Sequence, residues 1–247
     1  MYKLALSFRS LPTPGLARSI VGLAALACAT SQQPDDERFR SLREAMVTQQ
    51  IEARGIDDPD VLEAMRTVPR HLFVPPAYRD GAYEDHPLPI GSDQTISQPY
   101  IVALMTELAD PDREDVVLEV GTGSGYQAAV LAEIVQSVYT VEIIPSLGEE
   151  ARRRFEELGY TNVESRIGDG YQGWEEHAPF DAILVTAAPE EIPPPLIAQL
   201  KPGGVLVIPV GERGGVQTLM RVEKAQDGTT VSRSLIPVRF VPLVRDR

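Results

Sequence analysis

Three glycines in strict alternation, Gly121-Thr122-Gly123-Ser124-Gly125, follow directly on the apolar run Val116-Val117-Leu118-Glu119-Val120, and Glu142 stands 21 residues beyond the first of them. An apolar strand that breaks into a glycine turn and resumes as a helix brings backbone N–H groups up against a ligand. A carboxylate closing the next strand is placed to hold ribose hydroxyls, although such a residue is otherwise simply solvated. The pattern therefore points to a nucleoside-bearing ligand. A dinucleotide fingerprint sets its third glycine three residues after its second, whereas here the glycines alternate, so a ligand without phosphates fits better. No Gly-Lys-Ser/Thr closes the segment, and the common ATP cradle is absent.

Other polar residues fall at strand ends or in loops. Asp169, between Gly168 and Gly170, can accept from the exocyclic amine of an adenine or organise the Gly-Asp-Gly turn. Glu119, just ahead of the glycines, can brace the loop by accepting backbone N–H bonds or reach a ligand's amino group. Ser97, in Gln94-Thr95-Ile96-Ser97-Gln98-Pro99, can hold a carboxylate through one hydrogen bond or cap the helix that begins near Pro99. The three histidines, His71, His86 and His177, lack metal-ligand spacing, and the single Cys28 rules out an internal disulfide and a thiolate cluster, so no metal is expected.

The elements that must position these residues read as follows. Residues 38–54 carry apolar side chains at mostly helical spacing with Gly55 as a C-cap, and Asp58-Pro59 opens a second helix that ends near Pro69. Residues 73–98 show no sustained period, and so long an irregular segment in a compact protein is a candidate functional loop. A helix with Ile101, Leu104, Met105 and Leu108 follows. Strands are expected at 116–120, 137–142, 163–167, 180–186 and 205–210, and helices at 127–134, 147–158 and 195–200, with Lys201-Pro202-Gly203-Gly204 as a turn. Near-continuous apolar strands alternating with helices predict a doubly wound, Rossmann-like α/β fold with a mostly parallel sheet. Strands at 217–222 and 230–240, joined at Asp227-Gly228, predict an antiparallel C-terminal edge, and the first two helices an N-terminal helical extension.

With 36 Asp and Glu against 23 Lys and Arg, a net charge of −13, the surface repels phosphate backbones, and nucleic acid is not an expected partner. The basic cluster Arg152-Arg153-Arg154 reads as solvated helix surface. Residues 1–28 order Lys3, Arg9 and Arg18 ahead of a short apolar stretch and Cys28, the arrangement either of an export or lipid-attachment signal, too short for a permanent membrane span, or of an upstream extension or misassigned start.

Taken with Val68-Pro69-Arg70, Leu88-Pro89-Ile90-Gly91, Pro179-Phe180-Asp181-Ala182-Ile183, Val185-Thr186-Ala187-Ala188 and Arg239-Phe240-Val241-Pro242-Leu243, these motifs make residues 38–245 resemble the protein-L-isoaspartate O-methyltransferases, within the class I S-adenosylmethionine-dependent methyltransferases. The resemblance implies a Rossmann-like methyltransferase sheet and transfer of methyl from S-adenosylmethionine to the free α-carboxyl of L-isoaspartyl residues in damaged proteins, with D-aspartyl residues also accepted. It implies that Glu119 and Gly121, Thr122, Gly123, Ser124 and Gly125 surround the methionine part of the donor. Glu142 would take the ribose, and Asp169 with Gly170 the adenine edge. Ser97 matches the family's active-site serine, with Thr95 beside it, and the segment around Val241-Pro242-Leu243 would shape a peptide groove. Two departures stand out: Asp93, where the family often has a small or neutral residue, bears on preference for acidic substrates, and residues 1–30 extend beyond the usual domain. Residues 35–247 are expected to form one domain, with 35–110 helical and substrate-binding, 111–215 the cofactor core and 216–247 the last strands. A monomer in the cytoplasm is expected, with export or anchoring through residues 1–28 as the alternative. The rival functions are methylation of a small carboxylate and, on the same layout, a NAD-linked oxidoreductase.

Overall fold

The computed structural model describes residues 34–245, and the signal-like segment through Cys28 lies outside the described residues. Helix α1 (Pro34–Met46) runs on through a π turn and a 3₁₀ turn to Gly55, whose left-handed conformation ends it as the glycine predicted. Helix α2 (Pro59–Thr67) starts on Asp58, whose carboxylate accepts from the N–H groups of Asp60 and Val61, with proline at the first helical position.

A seven-stranded sheet follows. Its strands are β3 (Val116–Val120), β4 (Ser137–Glu142), β5 (Val163–Ile167), β6 (Phe180–Val185), β7 (Leu200–Val210), β8 (Gln217–Lys224) and β9 (Thr230–Val238), in the order β5-β4-β3-β6-β7-β8-β9. The first five pair in parallel; β8 and β9 add antiparallel at the edge. The chain winds outward from β3 to β5 and then returns to β6 on the other side of β3, so the crevice for a ligand opens beyond the C-terminal end of β3. Helices α3 (Pro99–Ala109), α4 (Tyr126–Ala132), α5 (Pro145–Leu158) and α6 (Pro194–Gln199) accompany the sheet. Alternation along the strands feeds two cores. Val117, Leu184 and Val207 join the cluster shared with the N-terminal helices, whereas Leu118, Ile183 and Leu206 join one with Trp174 and Leu196.

Three expectations change. Within residues 73–98, a hairpin of β1 (Leu88–Gly91) and β2 (Gln94–Ile96) emerges, turning through Ser92 and Asp93, both at positive φ. Strands of four and three residues are too short to register as a period. Lys201-Pro202-Gly203-Gly204 is not a turn before β7 but a bulge inside it, because pairing with β6 jumps from Phe180↔Leu200 to Ala182↔Val205. Lys201 Nζ closes that bulge on both Asp181 carboxylate oxygens at 2.6 Å, while Asp181 Oδ2 accepts from Val116 N at 2.9 Å. The last strand stops at Val238 rather than Phe240. Beyond it, Ala188 N donates to Val241 O at 2.8 Å and Leu243 N to Ala188 O at 2.9 Å, zipping the C-terminal segment to the loop after β6.

Phe180 is fully buried at the start of β6, against the face that carries Leu118 and Trp174. Phe180→Ala is expected to cost about 3–5 kcal/mol of unfolding free energy. Urea denaturation checks this, and a loss below about 1 kcal/mol would contradict the packing described.

Candidate active site

The glycine turn leaves β3 under tight restraint. Gly121 N donates to Val141 O at 2.8 Å and Gly125 N to Thr122 O at 2.8 Å. Gly121 has φ +101°, and a Cβ on it would lie 2.5 Å from Thr186 Oγ1, so neither the conformation nor the space admits a side chain. Gly125, at φ +87°, leaves no room for a Cβ beside the Phe155 ring, 2.8 Å away, which brings α5 onto the loop.

Side chains from three other elements hold this turn. Glu142, at the end of β4, accepts from Gly123 N at 2.7 Å and from Ile144 N at 2.9 Å, one bond to each carboxylate oxygen. A carboxylate has about four acceptor positions, so both oxygens keep capacity for a ligand. Thr186, just after β6, donates to Gly121 O at 2.5 Å. Arg154, on α5, donates to Ser124 O at 2.6 Å and Leu72 O at 2.8 Å. The Arg152-Arg153-Arg154 cluster is therefore not uniformly solvated: its third member is half-buried and tied to the backbone, because α5 turns that position inward.

Two cavities meet here. A cavity of about 280 Å³ lies against Gly121, Gly123, Glu142, Gly170 and Thr186. A second, of about 380 Å³, is walled by Thr95, Ser97, Ile101, Thr186, Arg239 and Val241. Thr186 and Val241 belong to both. A small chamber of about 30 Å³ adjoins them, with Ser97, Glu119, Gly121, Thr122, Ser124 and Thr186 in its walls. Asp169 caps the short turn after β5 by accepting from Tyr171 N at 2.9 Å, and its neighbour Gly170 forms the cavity wall. Asp93, at the tip of the hairpin, stands in the wall of the first cavity.

Glu119 is fully buried. Thr140 donates to its Oε2 at 2.5 Å, and the Thr140 hydroxyl shares a 2.6 Å bond with that of Thr122. Its Oε1 has no partner in the protein. Burial pushes its pKa up to about 8, against a smaller lowering by the Thr140 bond and a further rise from Glu142. An unpartnered buried carboxylate oxygen beside a glycine cradle suits a ligand that brings an ammonium group. The loop thus fits the methionine part of an S-adenosyl donor.

Ser97 is half-buried and Thr95 exposed, both facing the second cavity. Ser97 is not the cap of α3: that position is Gln98, which makes no side-chain cap bond, and Asp85 Oδ1 accepts from Tyr100 N at 3.3 Å instead. One residue too early to reach the helix, Ser97 turns to the cavity. Behind it lies Arg70, fully buried, which donates to Ser97 O and to Ala82 O at 2.7 Å each and packs 4.8 Å from the Tyr126 ring centroid. Burial lowers its pKa to about 10, so it remains a cation at neutral pH. Arg70, Arg154 and Thr186 escaped the reading of site residues from sequence. The signal available was their place in motifs: Arg70 closes Val68-Pro69-Arg70, and Thr186 is a hydroxyl just beyond the strand paired with β3. Among the described residues, no group of three or more His, Cys, Asp or Glu is arranged to hold a metal.

A switch-point crevice, an alternating glycine loop and a carboxylate on the adjacent strand define the class I S-adenosylmethionine-dependent methyltransferases. The family model "Protein-L-isoaspartate(D-aspartate) O-methyltransferase" matches residues 41–247. Protein-L-isoaspartate O-methyltransferase 1 of Nitrosospira multiformis is 58% identical over 207 residues, 83% of this chain and 88% of that one. A second such protein, from Syntrophobacter fumaroxidans, is 63% identical over 186 residues, 75% of each chain. A solved protein-L-isoaspartate O-methyltransferase superposes with TM-score 0.73 at 32% identity, covering 81% of this chain and 65%, just under two thirds, of its own. A Plasmodium falciparum structure described as a putative member, in complex with S-adenosyl-L-homocysteine, gives TM-score 0.71 at 27% identity over 84% of this chain and 99% of its own. The chain belongs to the protein-L-isoaspartate(D-aspartate) O-methyltransferase family, which sets aside the nicotinamide reading.

The raised pKa of Glu119 has a defined sign. The folded protein holds this proton up to about pH 8, whereas the unfolded chain releases it near 4.5, so stability falls as pH rises between those values. The ligand-free protein should lose up to about 1.4 kcal/mol per pH unit on this account. Glu119→Gln should flatten the slope in urea titrations between about pH 5 and 8, and equal slopes would refute it.

Proposed function

We propose that the protein transfers the methyl group of S-adenosylmethionine to the free α-carboxylate of L-isoaspartyl residues, and to the free side-chain carboxylate of D-aspartyl residues, in damaged peptides and proteins, the step that starts their repair. The observation that carries this reading is the shared wall: Thr186 and Val241 line both cavities, so a donor in one and an acceptor in the other meet at a single doorway. When bound, the donor supplies an electrophilic methyl on a sulfonium.

The chain's own residues divide the remaining tasks. Glu119 and the turn Gly121-Thr122-Gly123-Ser124-Gly125 receive the methionine part, the orphaned Glu119 oxygen taking its ammonium group. Glu142 uses its remaining lone pairs on the ribose hydroxyls. Asp169 and Gly170 meet the adenine edge. Ser97, with Thr95 at the rim, donates to the acceptor carboxylate; of Val241-Pro242-Leu243, fixed by the bonds to Ala188, Val241 reaches the acceptor cavity while Pro242 and Leu243 wall the donor cavity.

No general base is required. A terminal-type α-carboxyl with a reference pKa of about 3.5 is already ionised at neutral pH. Ser97 therefore has only to aim a nucleophile that exists in solution. The rate comes from alignment and from excluding water while opposite charges neutralise. The cytoplasm, where the donor is made, is the compartment this activity calls for, and no described helix is long and apolar enough to cross a membrane.

Labelled methyl from S-adenosylmethionine should reach an isoaspartyl peptide and not the matched aspartyl peptide. Equal labelling, or none, would overturn the acceptor assignment. Ser97→Ala should lower turnover by about tenfold to a hundredfold while calorimetric affinity for S-adenosylhomocysteine stays within about twofold. Glu142→Ala should instead weaken that affinity by about tenfold or more, since it removes both the ribose partner and the brace on Gly123.

A further inference from the structure

We propose that Thr186 is a further catalytic residue, its hydroxyl oxygen receiving the polarised C–H groups of the transferring methyl at the doorway between the cavities. The inference rests on the methyl-transfer reading above and adds to it a group that distinguishes the loaded donor from its demethylated product.

Position is the first ground. Thr186 lies in the walls of the donor cavity, the acceptor cavity and the small chamber that also holds Ser97 and Glu119. Its backbone is fixed, Thr186 N donating to Val120 O at 2.9 Å, so the side chain springs from the rigid seam between β3 and β6. The oxygen sits so close above Gly121 that a Cβ there would come within 2.5 Å of it.

Proton accounting is the second ground. A threonine hydroxyl has one proton and two lone pairs. The proton is committed to the loop, with Gly121 O at 2.5 Å and Val120 O at 3.1 Å. What the oxygen retains for the cavities is acceptor capacity alone. It therefore cannot hold the acceptor carboxylate, which also offers only lone pairs; that task falls to Ser97. A methyl bound to a sulfonium carries positive charge on its hydrogens and is the C–H donor that matches a spent hydroxyl. Val241, the other residue common to both cavity walls, has an aliphatic side chain, so of the two Thr186 alone brings a side-chain oxygen.

The step balances without another reactant. The S–CH₃ bond breaks with its electron pair left on sulfur, a carboxylate oxygen supplies the pair for the new O–CH₃ bond, and no proton is gained or lost. Charge on the methyl hydrogens persists in the transition state and vanishes from the site when the thioether product forms. An oxygen aimed at that methyl thus favours the donor over the product and directs the methyl through the doorway.

Thr186→Val, equal in shape without the oxygen, separates this role from a purely structural one. Calorimetry with S-adenosylmethionine and with S-adenosylhomocysteine should show the affinity ratio shifting about fivefold against the methylated ligand. Single-turnover transfer to an isoaspartyl peptide should fall by about tenfold or more. Thr186→Ser, which keeps the hydroxyl, should hold both within about twofold, and Thr186→Ala should repeat the valine result if the latter folds poorly. Equal weakening of both ligands would show that Thr186 serves only the loop, and an unchanged ratio in the valine and alanine variants overturns the proposal. Wild-type protein that discriminates the two ligands in calorimetry yet esterifies no isoaspartyl peptide would refute the acceptor reading alone, since the ratio still decides Thr186.

Discussion

Everything at this site depends on holding one five-residue turn still. Three of the five residues from Gly121 to Gly125 are glycines with no side chain to anchor them, and a flexible loop there would lose the ordering that a donor must find ready-made. The fold restrains it from outside. A carboxylate from β4 takes the N–H of Gly123, a hydroxyl from beyond β6 gives its proton to the carbonyl of Gly121, and a guanidinium from α5 gives one to the carbonyl of Ser124. Each grip comes from a different element, and each is charged or short. The parallel order β4-β3-β6 is what puts those strand ends side by side.

Two buried ionisable groups flank the turn and carry opposite burdens. Glu119 has a single bond from Thr140 and one oxygen with no partner, so it is most comfortable protonated until a cation reaches it. Arg70 keeps its charge, because two carbonyls and the face of Tyr126 surround it, although its Nη1 finds no partner. The difference follows from chemistry. A carboxyl can shed its charge near neutrality, whereas a guanidinium cannot, so the chain folds its own backbone around the arginine and leaves the glutamate open to a ligand. In doing so Arg70 fixes the carbonyl of Ser97, and a structural cation holds in place a residue of the second cavity's wall.

The donor half of this site was legible in the sequence and the acceptor half much less so. Strands 116–120 and 137–142 are rich in apolar and β-branched residues, and 163–167 is closed by Gly168-Asp169-Gly170, so the strand ends carry Gly121, Glu142 and Asp169 and spacing alone brings those residues together. The hairpin of β1 and β2 leaves no such trace: its strands span a single alternation or two, and its turn is formed by Ser92 and Asp93 at positive φ rather than by Asn-Gly. Arg154 was misread for a related reason. Three consecutive arginines look alike in sequence, and only the rotation of α5 assigns the third to the protein interior. Thr186 and Arg70 act through contacts between segments far apart in sequence, 65 residues from Gly121 in one case and 27 from Ser97 in the other, and no local period reports such contacts.

A protein of net charge −13 that binds a carboxylate faces repulsion it could have avoided, and the chemistry explains why the balance holds. Distant surface charges are screened beyond about 8 Å at physiological ionic strength, so they act on encounter rates more than on the bound state. The wall of the second cavity carries the hydroxyls of Thr95, Ser97 and Thr186, and the arginine in it, Arg239, is solvent-exposed. A buried cation clamped to the carboxylate would tighten binding but stabilise the very charge that must disappear as sulfonium and carboxylate neutralise each other. Hydroxyls orient without that penalty, and a site that becomes drier as the two ligands close favours the neutral products. Ser97 thus meets the acceptor with a neutral hydroxyl, while the cation behind it, Arg70, spends its bonds on the backbone carbonyls of Ser97 and Ala82.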